Sequence, residues 1–364
     1  MKKLMTFKQE LPNYLLLLDD KKYIKKGSDS IRVYNIGEII KRIYIELKAF
    51  KSIDEIEKET KTCHQTYSNW ILEKTGASIQ ELRQICRYWK ITCNKKDKQF
   101  HRLWNEIYTC SDYFGCTNGK NIKLPKKLDN NLAYLLGVIM GDGHIADPDK
   151  FYDKFTTYNS EIRITDGNKE TFIKLSKIFE KLFNYKPAIY SELSKTNKRF
   201  YRFVIKSKPL HRFLMKICQI PVGAKYNKIC IPKIINNSTM EVKKSFITGF
   251  FDADGCIRLA QDKYPEISIS QLNPKILKSI ILICRELGIK WNGPYKADSG
   301  RNHCSYIKLS NKENIEKFLN HFPPFNPIKI KQSEILWKTL KSRPISQSKW
   351  MEIEGGEEKI KAMS

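Results

Sequence analysis

Two aspartates carry the chemistry that this sequence offers. Asp142 closes the run LLGVIMGDG at 135–143, and Asp254 closes ITGFFDADG at 247–255. The runs share one layout: apolar residues, a glycine, more apolar residues, a small residue, then Asp-Gly. Each is too apolar for an exposed helix and too short to span a bilayer. Gly137 and Gly141 are four apart, as are Gly249 and Ala253, so on helices each pair lines one almost bare face. Two such faces can pack with their backbones in close approach. Gly143 and Gly255 then suit the left-handed position that ends a helix. This places Asp142 and Asp254 side by side at the last turns of two paired helices. Carboxylates are disfavoured at helix C-termini, and two together more so, unless a cation neutralises them. Hard oxygen donors of this kind suit Mg2+. A lone Asp-Gly is an ordinary turn; two copies after the same pattern point to a shared site.

In these paired motifs the chain resembles the LAGLIDADG homing endonuclease family, in its single-chain form with two motifs. The second copy matches closely, with Phe-Asp-Ala-Asp-Gly at 251–255, whereas the first has Met140 where the family's first Asp usually stands. The later Asp is the family's metal-binding acid, and both copies have it. The departure therefore touches helix capping more than catalysis. The resemblance covers about residues 123–335. It implies an Mg2+-dependent DNA endonuclease with roughly two or three metal ions, cutting both strands of a long asymmetric site. Asp142, Asp254 and the carbonyls of Gly141 and Ala253 would hold the metal. By local match, the family's active-site lysines fall on Lys331 in IKIKQ and on Lys225 in GAKYNK, with Lys228 as the alternate. Its water-ordering glutamine falls on Gln271, after EISIS. The equivalent in the first repeat is Asp166, which makes the two sites unequal.

The elements that must position these residues also come twice. After the first motif, EIRIT (161–165) reads as a strand, Lys169 to Leu182 as a helix, Ala188 to Leu193 and Phe200 to Ile205 as strands, and Pro209 to Ile217 as a helix. After the second come EISIS (266–270), a helix from Pro274 to Leu287, strands near Trp291–Lys296 and Ser305–Leu309, and a helix from Asn314 to His321. The first repeat has the longer loop between its first two strands, around Asp147 to Ser160. The fold expected is α+β: two pseudo-symmetric αββαββα repeats forming a DNA-binding saddle, behind a mostly helical N-terminal domain. The boundaries are 1–122 for that domain, 123–234 and 235–335 for the repeats, and 336–364 for a C-terminal helix and polar tail. Along the strands, Arg163, Arg202, Lys206, Arg258 and Lys308 alternate with apolar residues. One face then packs on helices, and the other is basic and can read duplex DNA.

The 364 residues carry a net charge of +27, which asks for an acidic partner, most simply nucleic acid. No apolar run is long enough for a membrane span. Ten cysteines without CxxC pairing fit reduced thiols in a cytoplasmic protein better than a zinc site built from Cys93, Cys110 and Cys116. Met1 and the ending KAMS argue against a protein-splicing element, and the N-terminus lacks the cleavage site of a signal peptide.

Residues 112–127 read as a linker. Before them, Ser52 and Glu55 form a capping box, and helices near 53–60, 66–72 and 79–89 follow in the order of a helix-turn-helix, with Gln65, Ser68 and Asn69 as contact candidates. A purely structural helical domain fits the same pattern. The expectation is therefore a monomeric endonuclease for double-stranded DNA. The rivals are an RNA maturase acting on intron RNA, a DNA-binding regulator that does not cut, and a nucleic-acid-packaging protein.

Overall fold

The computed structural model describes residues 9–18, 30–116, 119–149, 160–194, 196–226, 228–260, 264–297 and 304–341. The polar tail expected from Ser342 and most of the loop from Asp147 to Ser160 lie outside these residues.

The chain opens with a short strand, β1 (Gln9–Glu10), and one helical turn, α1 (Leu15–Leu18). After β2 (Arg32–Val33) come α2 (Gly37–Lys48), α3 (Ile53–Thr60), α4 (His64–Ile71), β3 (Ala77–Ser78), α5 (Ile79–Thr92) and α6 (Asp97–Cys110). Helices α3 and α5 both start at capping boxes, Ser52 with Glu55 and Ser78 with Glu81. Apolar residues at helical spacing, among them Ile40, Ile43, Ile56, Trp70, Leu82 and Ile85, bury one face of each helix.

The stretch read as a linker is partly ordered into strands: β4 (Tyr113–Gly115), β5 (Ile122–Lys123) and β6 (Lys127–Leu128). Phe114, Ile122, Leu124 and Leu128 are buried, and that burial outweighs the turn-forming composition around them. A sheet in the order β3-β2-β4-β5 ties the linker to the helices, and β1 pairs with β6. Tyr14 packs against Tyr108, Phe114 and Phe213, so the N-terminal helices and the first repeat share one core.

The first repeat runs α7 (Asn130–Gly141), β7 (Gly143–Ile145), β8 (Glu161–Asp166), α8 (Lys169–Phe183), β9 (Ile189–Leu193), β10 (Arg199–Lys206) and α9 (Lys208–Arg212). After a single turn, α10 (Lys233–Asn236), the second runs α11 (Met240–Asp254), β11 (Gly255–Ala260), β12 (Tyr264–Gln271), α12 (Pro274–Glu286), β13 (Asn292–Ala297), β14 (Cys304–Leu309) and α13 (Lys312–His321). Both are αββαββα units with antiparallel sheets of matching order, β7-β8-β10-β9 and β11-β12-β14-β13. On one face Ile162, Ile164, Phe203 and Ile205, and in the second sheet Ile267, Ile269, Ile307 and Leu309, are fully buried. They pack on α8 and α12, which leaves the alternate residues outward.

Two local readings change. The helix expected over Pro209–Ile217 is α9 followed by a wider turn, Phe213–Ile217, with Cys218 N–H bonded to the Phe213 carbonyl at 3.0 Å. The segment IKIKQ alternates like a strand but lies in a helix, α14 (Pro327–Lys341). Pro327 suits a helix start, and Asn326 Oδ1 accepts from Ile328 N–H at 2.9 Å.

Candidate active site at the paired helix ends

Helix α7 is capped by Asp129, whose Oδ1 accepts from Leu132 N–H at 2.9 Å. It packs against α11 through the bare face expected from the spacing. A Cβ on Gly137 would come within 2.1 Å of the Phe246 carbonyl oxygen, and one on Gly249 within 2.0 Å of that of Tyr134. The two backbones are in contact, and at these positions only glycine fits. A Cβ on Gly141 would meet Ala253 Cβ at 2.4 Å and Asp254 Oδ2 at 3.0 Å, so the second helix's carboxylate lies directly over the end of the first.

Gly143 and Gly255 do not take the left-handed conformation. Gly255 is extended, with φ −79° and ψ 157°, and each glycine begins a strand immediately. Their lack of a side chain serves the close return of the chain over the helix. A Cβ on Gly255 would meet the Phe251 ring at 2.0 Å, and one on Gly143 the Ile139 carbonyl at 2.6 Å.

Asp142 caps the C-terminus of α7, and Asp254 is the last residue of α11. Asp142 is exposed at its outer edge. The crowding of its carboxyl between the helix ends decides its chemistry all the same. Lost hydration, then the Asp254 and Asp166 carboxylates, lift it to about 7, against the pull of Lys329 and Lys225. Asp254 is raised as well, chiefly by burial, with Lys225, the Gln271 hydrogen bond and Lys329 opposing. Two crowded carboxylates at two negative helix ends make a strongly cation-seeking point.

Cationic side chains already sit on the carbonyls there. Lys225 Nζ donates to the carbonyls of Ile139, Met140 and Gly141 at 3.0, 2.8 and 2.7 Å. Burial holds its pKa down to about 8, and Asp254 and Asp142 resist that fall. Lys329 Nζ does the same on α11, reaching the carbonyls of Phe251, Asp252 and Ala253 at 2.5, 2.7 and 3.5 Å. The lysine of the second helix end is therefore Lys329, not Lys331, which is exposed. The helical period of α14 turns Lys329, Gln332 and Ser333 inward and Lys331 outward. In the first repeat the structure brings Lys225 to the site and leaves Lys228, the alternate, exposed.

Gln271 Nε2 donates to Asp254 Oδ2 at 2.6 Å. Asp166, its counterpart, lines a cleft of about 350 Å³ together with Asp142, Asn326, Lys329 and Gln332. Asn326 Nδ2 donates to Asp166 Oδ2 at 3.4 Å. Asp252 stands where the first repeat has Met140. Its Oδ2 accepts from Tyr134 O–H at 2.8 Å, Phe325 N–H at 2.8 Å and Asn326 N–H at 2.9 Å, which pins the start of α14 to both motif helices. Met140 is fully buried instead. Lys329 and Asn326 escaped the sequence reading, and Asp252 entered it only as the first Asp of the second motif. The signal that could have found Lys329 is Pro327 as a helix start, which sets the phase of the residues after it.

The basic strand residues are outward but ion-paired. Arg163 bonds Glu161 at 2.5 Å, Arg202 pairs with Glu192, and Arg258 and Lys308 share Glu266 at 2.5 and 3.3 Å. Glu266 is only 3% exposed, so it acts as a buried anchor that aims two cations outward. Lys206 is exposed at the end of β10, across the ladder from Glu161.

Residues 241–323 match the family model described as a LAGLIDADG-like domain. The chain is 24% identical over 202 residues to a glutamine–fructose-6-phosphate aminotransferase of Methanocaldococcus jannaschii and 29% identical over 204 residues to a probable translation initiation factor IF-2 of the same organism. These matches take in 54% and 55% of this chain, and the chain spans only 16% of each relative's length. Among solved structures, I-DmoI in complex with DNA and calcium is 19% identical, with a TM-score of 0.42, over 57% of this chain and 96% of that one.

Proposed function

We propose, from a chain whose residues 241–323 match a LAGLIDADG-like domain, that this protein is a site-specific double-strand DNA endonuclease dependent on a divalent metal such as Mg2+. One observation carries the reading: two carboxylates meet at two closely packed helix ends, each end bearing a lysine on its last carbonyls.

The donor set fits a hard divalent cation. It consists of oxygen atoms: the Asp142 and Asp254 carboxylates and the carbonyls of Gly141 and Ala253, on which the Lys225 and Lys329 ammonium groups rest. A bound ion would supply charge neutralisation at the phosphate and an acidified water. The chain's own residues do the rest. Gln271 fixes the rotamer of Asp254 through its 2.6 Å bond. Lys225 and Lys329 hold positive charge beside the two carboxylates. Arg163, Arg202, Lys206, Arg258 and Lys308 bring duplex phosphates and base edges to the sheets. The curated relatives bear names that share no chemistry, which suits a unit whose activity is separate from theirs.

The test is cleavage of a randomised duplex library with Mg2+ by the wild type and by Asp254→Asn. Cutting at one long motif that disappears in the variant supports the assignment. Selective binding without cutting by the wild type would replace it with a regulator or an intron-RNA maturase.

A further inference from the structure

The motif helices and sheets leave the N-terminal helices without a task. Helix α3 (eight residues) and α4 (eight residues) are joined by Lys61, Thr62 and Cys63. Lys61 adopts φ 54° and stops α3 in the left-handed conformation. The angle between the helices is then fixed by side chains. Tyr67 O–H donates to Thr60 Oγ1 at 3.0 Å, Thr60 donates on to the Ile56 carbonyl at 2.6 Å, and Thr62 Oγ1 donates to the Thr60 carbonyl at 3.1 Å. Glu57 accepts from the first amide of α4, His64 N–H. Tyr67 stacks on Tyr44 of α2 with ring centroids 4.7 Å apart, and Tyr67 and Trp70 bury the inner face of α4. A short helix is thereby held rigidly, at its foot and along its back, against α2 and α3.

Its outer face bears no charge. His64 and Gln65 are exposed, Ser68 and Asn69 are half-buried, and Gln65 Nε2 donates to Asn69 Oδ1 at 3.3 Å, so the two amides lie side by side. Around this neutral face stand exposed lysines at the ends of the neighbouring elements: Lys48, Lys58, Lys61 and Lys74. Neutral amides and hydroxyls with lysines on the neighbouring elements suit base edges flanked by phosphates. Asp54, Glu55, Glu57 and Glu59 on α3 and Glu73 after α4 oppose phosphate approach, so base contacts rather than phosphate attraction are what this face offers.

After α5 and α6, the chain reaches the first repeat at the end of α8 and at the edge of its basic sheet. Tyr113 O–H of β4 accepts from Asn184 Nδ2 at 2.9 Å. Lys120, just before β5, shares a cavity of about 570 Å³ with Arg163, Arg202, Lys206 and Tyr190.

We propose that α3 and α4 form a helix-turn-helix that sets α4 in the major groove of duplex DNA, beside the stretch covered by the first repeat, with Gln65 and Asn69 reading bases. The inference rests on DNA being the substrate and does not need cleavage. The test is selection of bound duplexes from a randomised library by the full chain in Ca2+, for the wild type, Gln65→Ala/Asn69→Ala and Lys61→Asn. Asparagine tolerates the left-handed position, so the last variant removes charge without strain. Matched thermal unfolding curves confirm that all three fold. The wild type should enrich a central motif plus a flank on one side only. The double variant should lose the flank preference by about tenfold per base while keeping the centre. Lys61→Asn should weaken every sequence alike and lower the salt slope by about 1. Identical flanks in wild type and double variant, or a preference transferred to an RNA library, would overturn the proposal. Enrichment of no motif by the wild type would overturn this proposal and the endonuclease reading together, whereas a flanked motif that is bound but never cut would overturn cleavage alone.

Discussion

Lys329 is 8% exposed with its ammonium on the last carbonyls of α11, while Lys331, two residues on, is exposed. Replacing Lys329 by Ala leaves buried carbonyls without a donor. It should cost about 2 kcal/mol in urea unfolding and at least about 100-fold in cleavage. Lys331→Ala should stay within about 0.5 kcal/mol and cut normally. The reverse ranking would return the site to the residue that local matching favours. Asp142 gives a second test. Its folded pKa of about 7 lies well above the ordinary carboxylate value of about 3.9, so protonation favours the folded state. Without metal, stability from this group is full below pH about 4 and is lost as pH rises through about 7. Asp142→Asn should therefore raise the metal-free melting temperature at pH 8 by about 2 °C, with the gain vanishing toward pH 4. A gain that grows on acidification would contradict the like-charge crowding. The two acids were legible because residue type and repeated pattern name them together. Lys329 was not, because Ile-Lys-Ile-Lys fits strand and helix equally and only the helical phase tells the two lysines apart.

At the scale of elements, the contact of α7 with α11 hangs on side chains that are absent. Gly249→Ala would push a methyl to 2.0 Å from the Tyr134 carbonyl, and the helices would have to separate. A cost of about 3 kcal/mol is expected in chemical denaturation, with loss of cleavage as the carboxylates part. Gly167→Ala, with nothing within 4 Å of its Cβ, is the control and should be neutral. Equal effects of the two substitutions would show that the helix pair tolerates separation. The pairing was readable from small residues four apart, and the strand order followed from alternation, because one sheet face must be buried. What misled was glycine. Gly143 and Gly255 are required by the chain's return over Ile139 and Phe251, a tertiary contact, and not by a backbone angle. The linker at 112–127 misled for a similar reason, since Phe114 and Ile122 find partners only in the folded chain.

Behind the N-terminal helices, the molecule is two copies of one unit that are not alike. The two sheets match strand for strand, yet Asp166 stands opposite Gln271, and Met140 opposite Asp252. Around Asp254 a neutral amide donates to the carboxylate, which satisfies it in the absence of a cation. Around Asp142 a second carboxylate lies in the same cleft and raises the demand for positive charge. Cation affinity should therefore differ, with the Asp142–Asp166 side loading first. On a supercoiled plasmid carrying one target site, low Mg2+ should fill that side ahead of the other. One strand is then cut early, nicked circles accumulate, and the nicked fraction falls as Mg2+ rises to saturation. Asp166→Gln makes the first site resemble the second. Its nicked intermediate at low Mg2+ should shrink at least about threefold, because the two sides would fill together. An unchanged nicked fraction would mean that the strands are cut unequally for a reason in the DNA, such as the order in which its halves are bent, and not in the carboxylates. Under the proposed function, the asymmetry also suits a target without dyad symmetry: an enzyme that reads different bases with each half has no need of two identical sites, only of two that both finish the cut.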